Sequence, residues 1–316
     1  MFWFYAAFLV LVLALLWVDL FLLHREAGEI RFRQALGFSS VCAGLAVAFA
    51  GVVYLLYEQR WFGFAAELPG NEAALQFFTG WLLEQSLSLD NVFVIAVVFR
   101  SFAVPLAYQH RVLFWGILGA LVMRGVMIAA GTALIRSFGW VTYAFGAILL
   151  LTAWKMYRAR GSEPDPTNHV VLRLSRRILP VSPELHGQRF LVRIDGRRMV
   201  TPLFLVLLVI ESLDVVFAVD SIPAVLAVTR DPFLVFTSNV FAILNLRSLY
   251  FVLTAVLDRF HHIQTALVIV LGFVGVKMIL AQHFHVPTLL SLAVILLVLL
   301  GGVIASILRP LPPKVE

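Results

Sequence analysis

The chain has 316 residues, 61% of them apolar and only 13% charged, and its mean hydropathy is +0.96. A soluble domain carries roughly a quarter charged residues. A water-soluble globular protein is therefore excluded, and the apolar residues fall in runs of about twenty, enough to cross a ~30 Å hydrocarbon core. The single cysteine, Cys42, excludes an internal disulfide and any thiolate cluster. The isoelectric point of about 9.8 does not imply a nucleic-acid partner, because the basic residues concentrate in one loop, as membrane topology requires.

The expected fold is all-α and polytopic, a single membrane domain over 1–316 with nine transmembrane helices. The spans are predicted at 2–23, 36–57, 75–99, 112–133, 138–157, 202–228, 233–256, 265–281 and 287–308. The first opens on Met1-Phe2-Trp3, without a basic leader or small-residue cleavage site, and reads as a retained helix. Asp19, near its end, reads as interfacial. The third span carries Glu84, Asp90 and Asn91, the fourth Arg124, and the fifth ends near Lys155.

Between the fifth and sixth spans lies a basic loop, 158–200, with nine arginines. It holds a short amphipathic segment near Val170–Leu179. Phe190-Leu-Val-Arg-Ile, Asp195-Gly196 and Arg-Arg-Met-Val read as a tight β-hairpin, because Asp-Gly suits the turn that strand twist favours. As a whole the loop reads as a solvated cytoplasmic linker. The sixth span opens at Thr201-Pro202 and the seventh at Asp231-Pro232, each a helix cap followed by proline at the first helical position.

A degenerate duplication relates the third to fifth spans to the sixth to eighth. Ser88-Leu-Asp90-Asn-Val-Phe93 matches Ser212-Leu-Asp214-Val-Val-Phe217 at an offset of 124. Arg124 matches Arg247 at 123, and Lys155-Met156 matches Lys277-Met278 at 122. The units are 75–157 and 201–281, with 282–316 forming the last span and tail. Three crossings is an odd number, so the second copy is expected upside-down, the arrangement that places a transport site near the midplane.

Five carboxylates fall inside these spans: Glu84, Asp90, Glu211, Asp214 and Asp220. Each costs roughly 2.5–3.5 kcal/mol near a bilayer centre, so they must be protonated, paired or bound to a cation. Pairing with Arg124 and Arg247 accounts for part of the charge, and a divalent ion for most of the rest. Glu211 and Asp214, three apart, share a helix face. Asp220 lies nine residues beyond Glu211, and a straight helix aims it the opposite way. Pro223 suggests that the segment is broken there, swinging Asp220 back toward the others.

The expected metal set is Glu84, Asp90, Asn91, Glu211, Asp214 and Asp220, with Asn239 and Asn245 as further neutral oxygens that also suit interhelical hydrogen bonding. An oxygen-only set fits Mg²⁺, Ca²⁺ or Mn²⁺, whereas zinc and copper favour His or Cys. All eight histidines lie outside the core spans or at their ends, including the His283-x-His285 pair, which reads as interfacial.

Glu84-Gln-Ser-Leu-Ser-Leu-Asp90-Asn-Val-Phe-Val resembles the TerC/Alx family of bacterial membrane proteins. So do Glu211-Ser-Leu-Asp214-Val-Val-Phe-Ala-Val-Asp220-Ser-Ile-Pro223-Ala and Thr237-Ser-Asn-Val-Phe-Ala-Ile-Leu-Asn-Leu-Arg247-Ser-Leu-Tyr-Phe. The likeness covers nearly the whole chain. It implies an exporter that limits cytoplasmic Mn²⁺, with the five acidic positions as the essential set. Asn245 departs from the pattern, which has glycine there in the Alx-like branch.

The expected function is thus secondary export of Mn²⁺ from the cytoplasm across a bacterial inner membrane, with protons as counter-ion. Mn²⁺ is the transported ion. No organic cofactor, catalytic residue or enzymatic activity is expected, and no nucleotide-binding motif appears. A homo-oligomer is compatible with the sequence. The alternative is a membrane partner that assists metallation or assembly of secreted proteins, for which the basic loop is the support.

Lys and Arg outside the spans number 17 in the odd loops and C-terminal tail against 3 in the even loops, which predicts an external N-terminus and a cytoplasmic C-terminus. A fluorescent protein fused after Glu316 is expected to fluoresce, and an enzyme reporter active only outside the cytoplasm is expected to be silent there. The opposite pair of readings would reverse the orientation.

Overall fold

Inside a bilayer no water is available to the backbone, and a helix satisfies its N–H and C=O groups within one segment. The computed structural model describes residues 2–18, 32–61, 68–158, 170–194, 196–254, 263–281, 284 and 286–308. Its helices are α1 (Phe2–Val18), α2 (Phe32–Glu58), α3 (Gly70–Ser101), α4 (Leu106–Ser137), α5 (Val141–Arg158), α6 (Val170–Ile178), α7 (Pro202–Leu226), α8 (Pro232–Thr254), α9 (Ile263–Leu280) and α10 (Thr288–Leu308). Every expected span overlaps one of them. Among the described residues six helices, α2, α3, α4, α7, α8 and α10, are long and apolar enough to cross a membrane, and Thr265–Leu280 is a shorter apolar helix. The chain is an all-α polytopic membrane protein.

Large apolar side chains face outward, as in Val122, Val126 and Leu297, each at least 65% exposed. In water this would be a liability; against lipid it is the expected surface. At 32 residues each, α3 and α4 are about 48 Å long, more than a perpendicular crossing needs, so they tilt or project beyond the hydrocarbon.

The centre of the bundle is α3, α4, α7 and α8. Helix α3 packs most extensively on α8, α4 on α7, and α5 on α9, with further α3–α7 and α4–α8 contacts. An aromatic cluster of Phe8, Phe49, Phe77, Phe233 and Phe241 ties α1 and α2 to the α3–α8 pair.

Helix starts follow local chemistry, with one substitution of role. The Asp231 carboxylate accepts the Phe233 N–H at 2.8 Å, capping α8, while its other oxygen accepts the Tyr57 hydroxyl at 2.9 Å. Thr201 sits at the cap position of α7 but makes no capping bond. Its hydroxyl donates instead to the Arg189 carbonyl at 2.7 Å, anchoring the preceding loop.

Over its described residues that loop is folded and partly docked on the bundle, with most of its side chains still exposed or half-buried. Strands β1 (Leu191–Ile194) and β2 (Arg197–Val200) form an antiparallel hairpin in which Ile194 faces Arg197. Gly196 takes φ +78°, a conformation open to glycine; Asp195 lies outside the described residues. Helix α6 packs on α7, and Leu172 and Val200 are buried with Leu203 and Val206. Leu172 is the apolar side chain of α6 that docks there, while Leu174 and Ile178 stay exposed.

Helices α5 and α9 meet through two glycines. A Cβ on Gly146 would lie 3.0 Å from the Gly275 carbonyl oxygen, and one on Gly275 would lie 3.2 Å from the Gly146 carbonyl oxygen. Small residues permit this approach where helices associate in lipid. Gly146→Val is expected to lower stability by about 1–3 kcal/mol through overpacking. Gly272→Ala, which meets nothing within 4 Å, should leave it nearly unchanged. Thermal unfolding of both variants in detergent checks this contrast.

Candidate functional site

Of the charged groups predicted to be functional, Glu84, Arg124 and Asp214 converge at the middle of the bundle, with Glu211 beside them. Asp214 is the central residue of α7, and Glu84 and Arg124 lie near the centres of α3 and α4. Arg124 is 2% exposed, Glu84 1% and Asp214 9%. The guanidinium grips Asp214 with two prongs, Nη2 to Oδ1 at 2.8 Å and Nε to Oδ2 at 3.1 Å. Its Nη1 donates to Glu84 Oε1, so one cation bridges two carboxylates on two other helices. Planar, two-pronged pairing is what Arg supplies and Lys does not. The second Glu84 oxygen, Oε2, is buried and accepts no hydrogen bond.

Glu211 lies one turn from Asp214 on α7, against Gly119 of α4. A Cβ on Gly119 would overlap the Glu211 carboxylate, so the missing side chain is what makes room for it. Beside it a narrow, mostly apolar cavity between α3, α4, α7 and α8 takes its polar lining from Asn91, Glu211 and Asp214. These three oxygen-bearing side chains share one space, with Glu84 joined to them through Arg124.

Asp220 is elsewhere. Helix α7 runs unbroken from Pro202 to Leu226 with Pro223 inside it, so the expected break is absent. Nine residues of regular helix turn through about 900°, leaving Asp220 on the face opposite Glu211. There it accepts a hydrogen bond from Thr152 Oγ1 of α5 at 2.6 Å. Pro223 removes one N–H near the C-terminal end of α7, yet its own carbonyl still accepts the Ala227 N–H at 3.0 Å; the helix absorbs the proline without unwinding.

The Asp90 backbone lies within α3, but its side chain is outside the described residues, as are Asp19 and the His283 and His285 pair. Among the described residues no group of three or more His, Cys, Asp or Glu is clustered closely enough to hold a metal ion. Asn239 on α8 is 1% exposed, and neither atom of its carboxamide has a hydrogen-bond partner. The interhelical bond expected of it is not formed.

A second, more polar cavity opens at the C-terminal end of α7, with Glu72, Gln76, Thr142, Lys277 and Thr288 on its walls. Glu72 accepts from Thr288 Oγ1 at 2.5 Å and from Gln76 Nε2 at 3.1 Å, and Lys277 donates to Ser291 of α10 at 2.8 Å. Sequence reading missed Glu72, Gly119 and Thr152. Glu72 precedes the predicted span, and a glycine or threonine in an apolar run carries no distinguishing signal.

Residues 69–310 match the family described as "Integral membrane protein TerC family". The chain is 43% identical over 305 residues to "Uncharacterized membrane protein STKORF319" of Myxococcus xanthus, covering 96% of this chain and 92% of that protein. It is 43% identical over 296 residues to the Salmonella typhi protein named "Putative membrane-bound redox modulator Alx", covering 92% and 89%. The Escherichia coli K12 protein of the same name is 42% identical over 292 residues, covering 92% and 90%. No solved structure matches the chain.

Breaking a buried ion pair from one side leaves an uncompensated charge, which costs about 3–5 kcal/mol. Asp214→Asn is expected to destabilise the fold by that order. Thr152→Val, which removes a single hydrogen bond to Asp220, should cost about 0.5–1.5 kcal/mol. Chemical denaturation in detergent ranks the two; equal effects would mean that Asp214 is not the partner on which Arg124 depends.

Proposed function

The chain belongs to the TerC family of integral membrane proteins, and from that premise we propose that it is a secondary transporter exporting Mn²⁺ from the cytoplasm through an intramembrane carboxylate site, in exchange for protons. The observation that carries this reading is the buried group of Glu84, Arg124 and Asp214 at the centre of α3, α4 and α7, with half-buried Glu211 one turn from Asp214. With its carboxylates ionised, the cluster holds three negative charges and one positive. The two remaining charges match one divalent cation.

Asn91, Glu211 and Asp214 line a single cavity, and their carboxylate and amide carbonyl oxygens are the ligand type that suits a hard divalent ion. In this proposal Asp90, as the repeat mate of Asp214, completes the site from α3. Asp220 serves as a separate waypoint between α5 and α7. The choice of manganese over magnesium or calcium rests on the family resemblance.

Alternating access is proposed to come from an inverted repeat of α3–α5 and α7–α9 within nine spans. Support comes from the packing. Exchanging the two units turns the α3–α8 contact into α7–α4 and leaves α5–α9, α3–α7 and α4–α8 unchanged as pairs. With the C-terminus cytoplasmic, the Glu72 and Lys277 cavity becomes an outer vestibule on the bacterial inner membrane. Carboxylates that hold either a proton or a metal ion couple the two fluxes. The only cysteine is Cys42, buried in α2, so an internal thiol–disulfide couple cannot form.

A second reading, a membrane partner in metallation or assembly of secreted proteins, draws on the folding of 170–200 against α7. Deleting 181–199 separates the two: a transporter keeps metal flux, an assembly partner loses activity.

In a manganese-sensitive host, the wild-type protein is expected to lower cellular manganese several-fold, and Asp90→Asn, Asp214→Asn and Glu211→Gln to abolish the effect. Elemental analysis of washed cells provides the readout. Equal lowering by all forms rules out the carboxylate site, and a change confined to calcium rules out the ion. Mn²⁺ efflux that ignores an imposed pH gradient would disprove proton exchange.

A further inference from the structure

Both oxygens of Asp214 are engaged by Arg124, yet Asp214 lines the cavity with Glu211 and Asn91. A cation entering that cavity and Arg124 therefore compete for the same oxygens. Arg124 cannot simply leave, because a guanidinium in a hydrocarbon environment without a partner is costly. Glu84 offers the alternative seat. It already accepts Nη1 through Oε1, and its Oε2 is buried with no hydrogen bond of its own. Glu84 is not among the residues lining the cavity.

We propose that Arg124 is a two-position counter-ion, held on Asp214 when the cavity is free of cation and drawn onto both oxygens of Glu84 when a divalent cation takes Asp214, Glu211 and Asn91. This rests on the Mn²⁺ reading above and assigns Glu84 a different role: a positioning residue for Arg124 rather than a ligand of the ion. In the first position the guanidinium makes two bonds to Asp214 and one to Glu84. In the second its charge stays paired while Asp214 is freed, so no step leaves a bare charge in the membrane. The guanidinium suits this because its planar fork grips a carboxylate with two donors at once, which an ammonium cannot do. The apparent affinity for the ion is then the intrinsic affinity reduced by the fraction of molecules in which Arg124 has left Asp214.

The test is Mn²⁺ binding to the purified full-length protein by calorimetry, with flux in proteoliposomes measured in parallel. If Asp214 is free in about one molecule in ten, Arg124→Gln removes the competitor and tightens binding about tenfold. Its maximal flux should fall, because nothing displaces the ion. Glu84→Gln alone removes the alternative seat and should weaken binding. The double variant decides between roles, since coupled residues depart from additivity. If Glu84 acts only through Arg124, the double variant binds like Arg124→Gln; if Glu84 is an ion ligand, its loss weakens binding by as much in the double variant as alone, which overturns the proposal.

Weaker binding by Arg124→Gln alone also overturns it. Should that variant not fold, Arg124→Lys keeps the charge without the fork. It is expected to bind more tightly than wild type, and unchanged or weaker binding counts against the proposal. Absence of Mn²⁺ binding and flux in the wild type removes the proposed substrate and this inference together. Binding by the wild type with an unfavourable variant pattern removes this inference alone.

Discussion

A guanidinium buried at the middle of three helices and surrounded by apolar side chains must be matched by charge from within the protein, since neither water nor salt reaches it. Arg124 meets that condition by bridging Glu84 of α3 and Asp214 of α7. The bridge fixes which faces of α3, α4 and α7 point inward and how far each is slid along its axis. The rest of the central bundle is consistent with that setting. Gly119 makes room for Glu211, Phe77 and Phe241 meet edge to face between α3 and α8, and outward-facing positions are left to Val122 and Val126.

Stability and function draw on the same groups here. An ion pair buried this deeply contributes less to stability than hydrophobic residues of similar volume would, because desolvation offsets most of the attraction. In the proposed transport role, what matters is that such a pair is reversible. A carboxylate neutralised by a tethered cation is available to a mobile cation whenever the tether has somewhere else to go. Asp220 is satisfied by Thr152 on the opposite face of α7, away from this pair.

The segment between α5 and α7 shows what a charge count leaves out. Nine arginines suggest a solvated loop. Yet Leu172 and Val200 are buried, and Thr201 ties Arg189 to the start of α7. A charge count reports what faces water, not what the remaining side chains find to cover them. The hairpin is legible because Asp-Gly is a local signal; the docking of α6 is not, because it depends on where α7 lies.

Sequence by itself determined the membrane class, the order and approximate limits of the helices, and the short list of charged residues that hydrocarbon does not tolerate unpaired. These follow from single-segment physics: the length of apolar runs, proline and Asp at helix starts, and the cost of an intramembrane charge. Tertiary structure alone decided which charges meet. It paired Arg124 with Glu84 and Asp214, gathered Asn91, Glu211 and Asp214 around one cavity, and sent Asp220 away because α7 stays helical through Pro223. A helix period states which residues share a face, but only packing states what that face meets. For this protein that difference separates a set of six candidate ligands from a site.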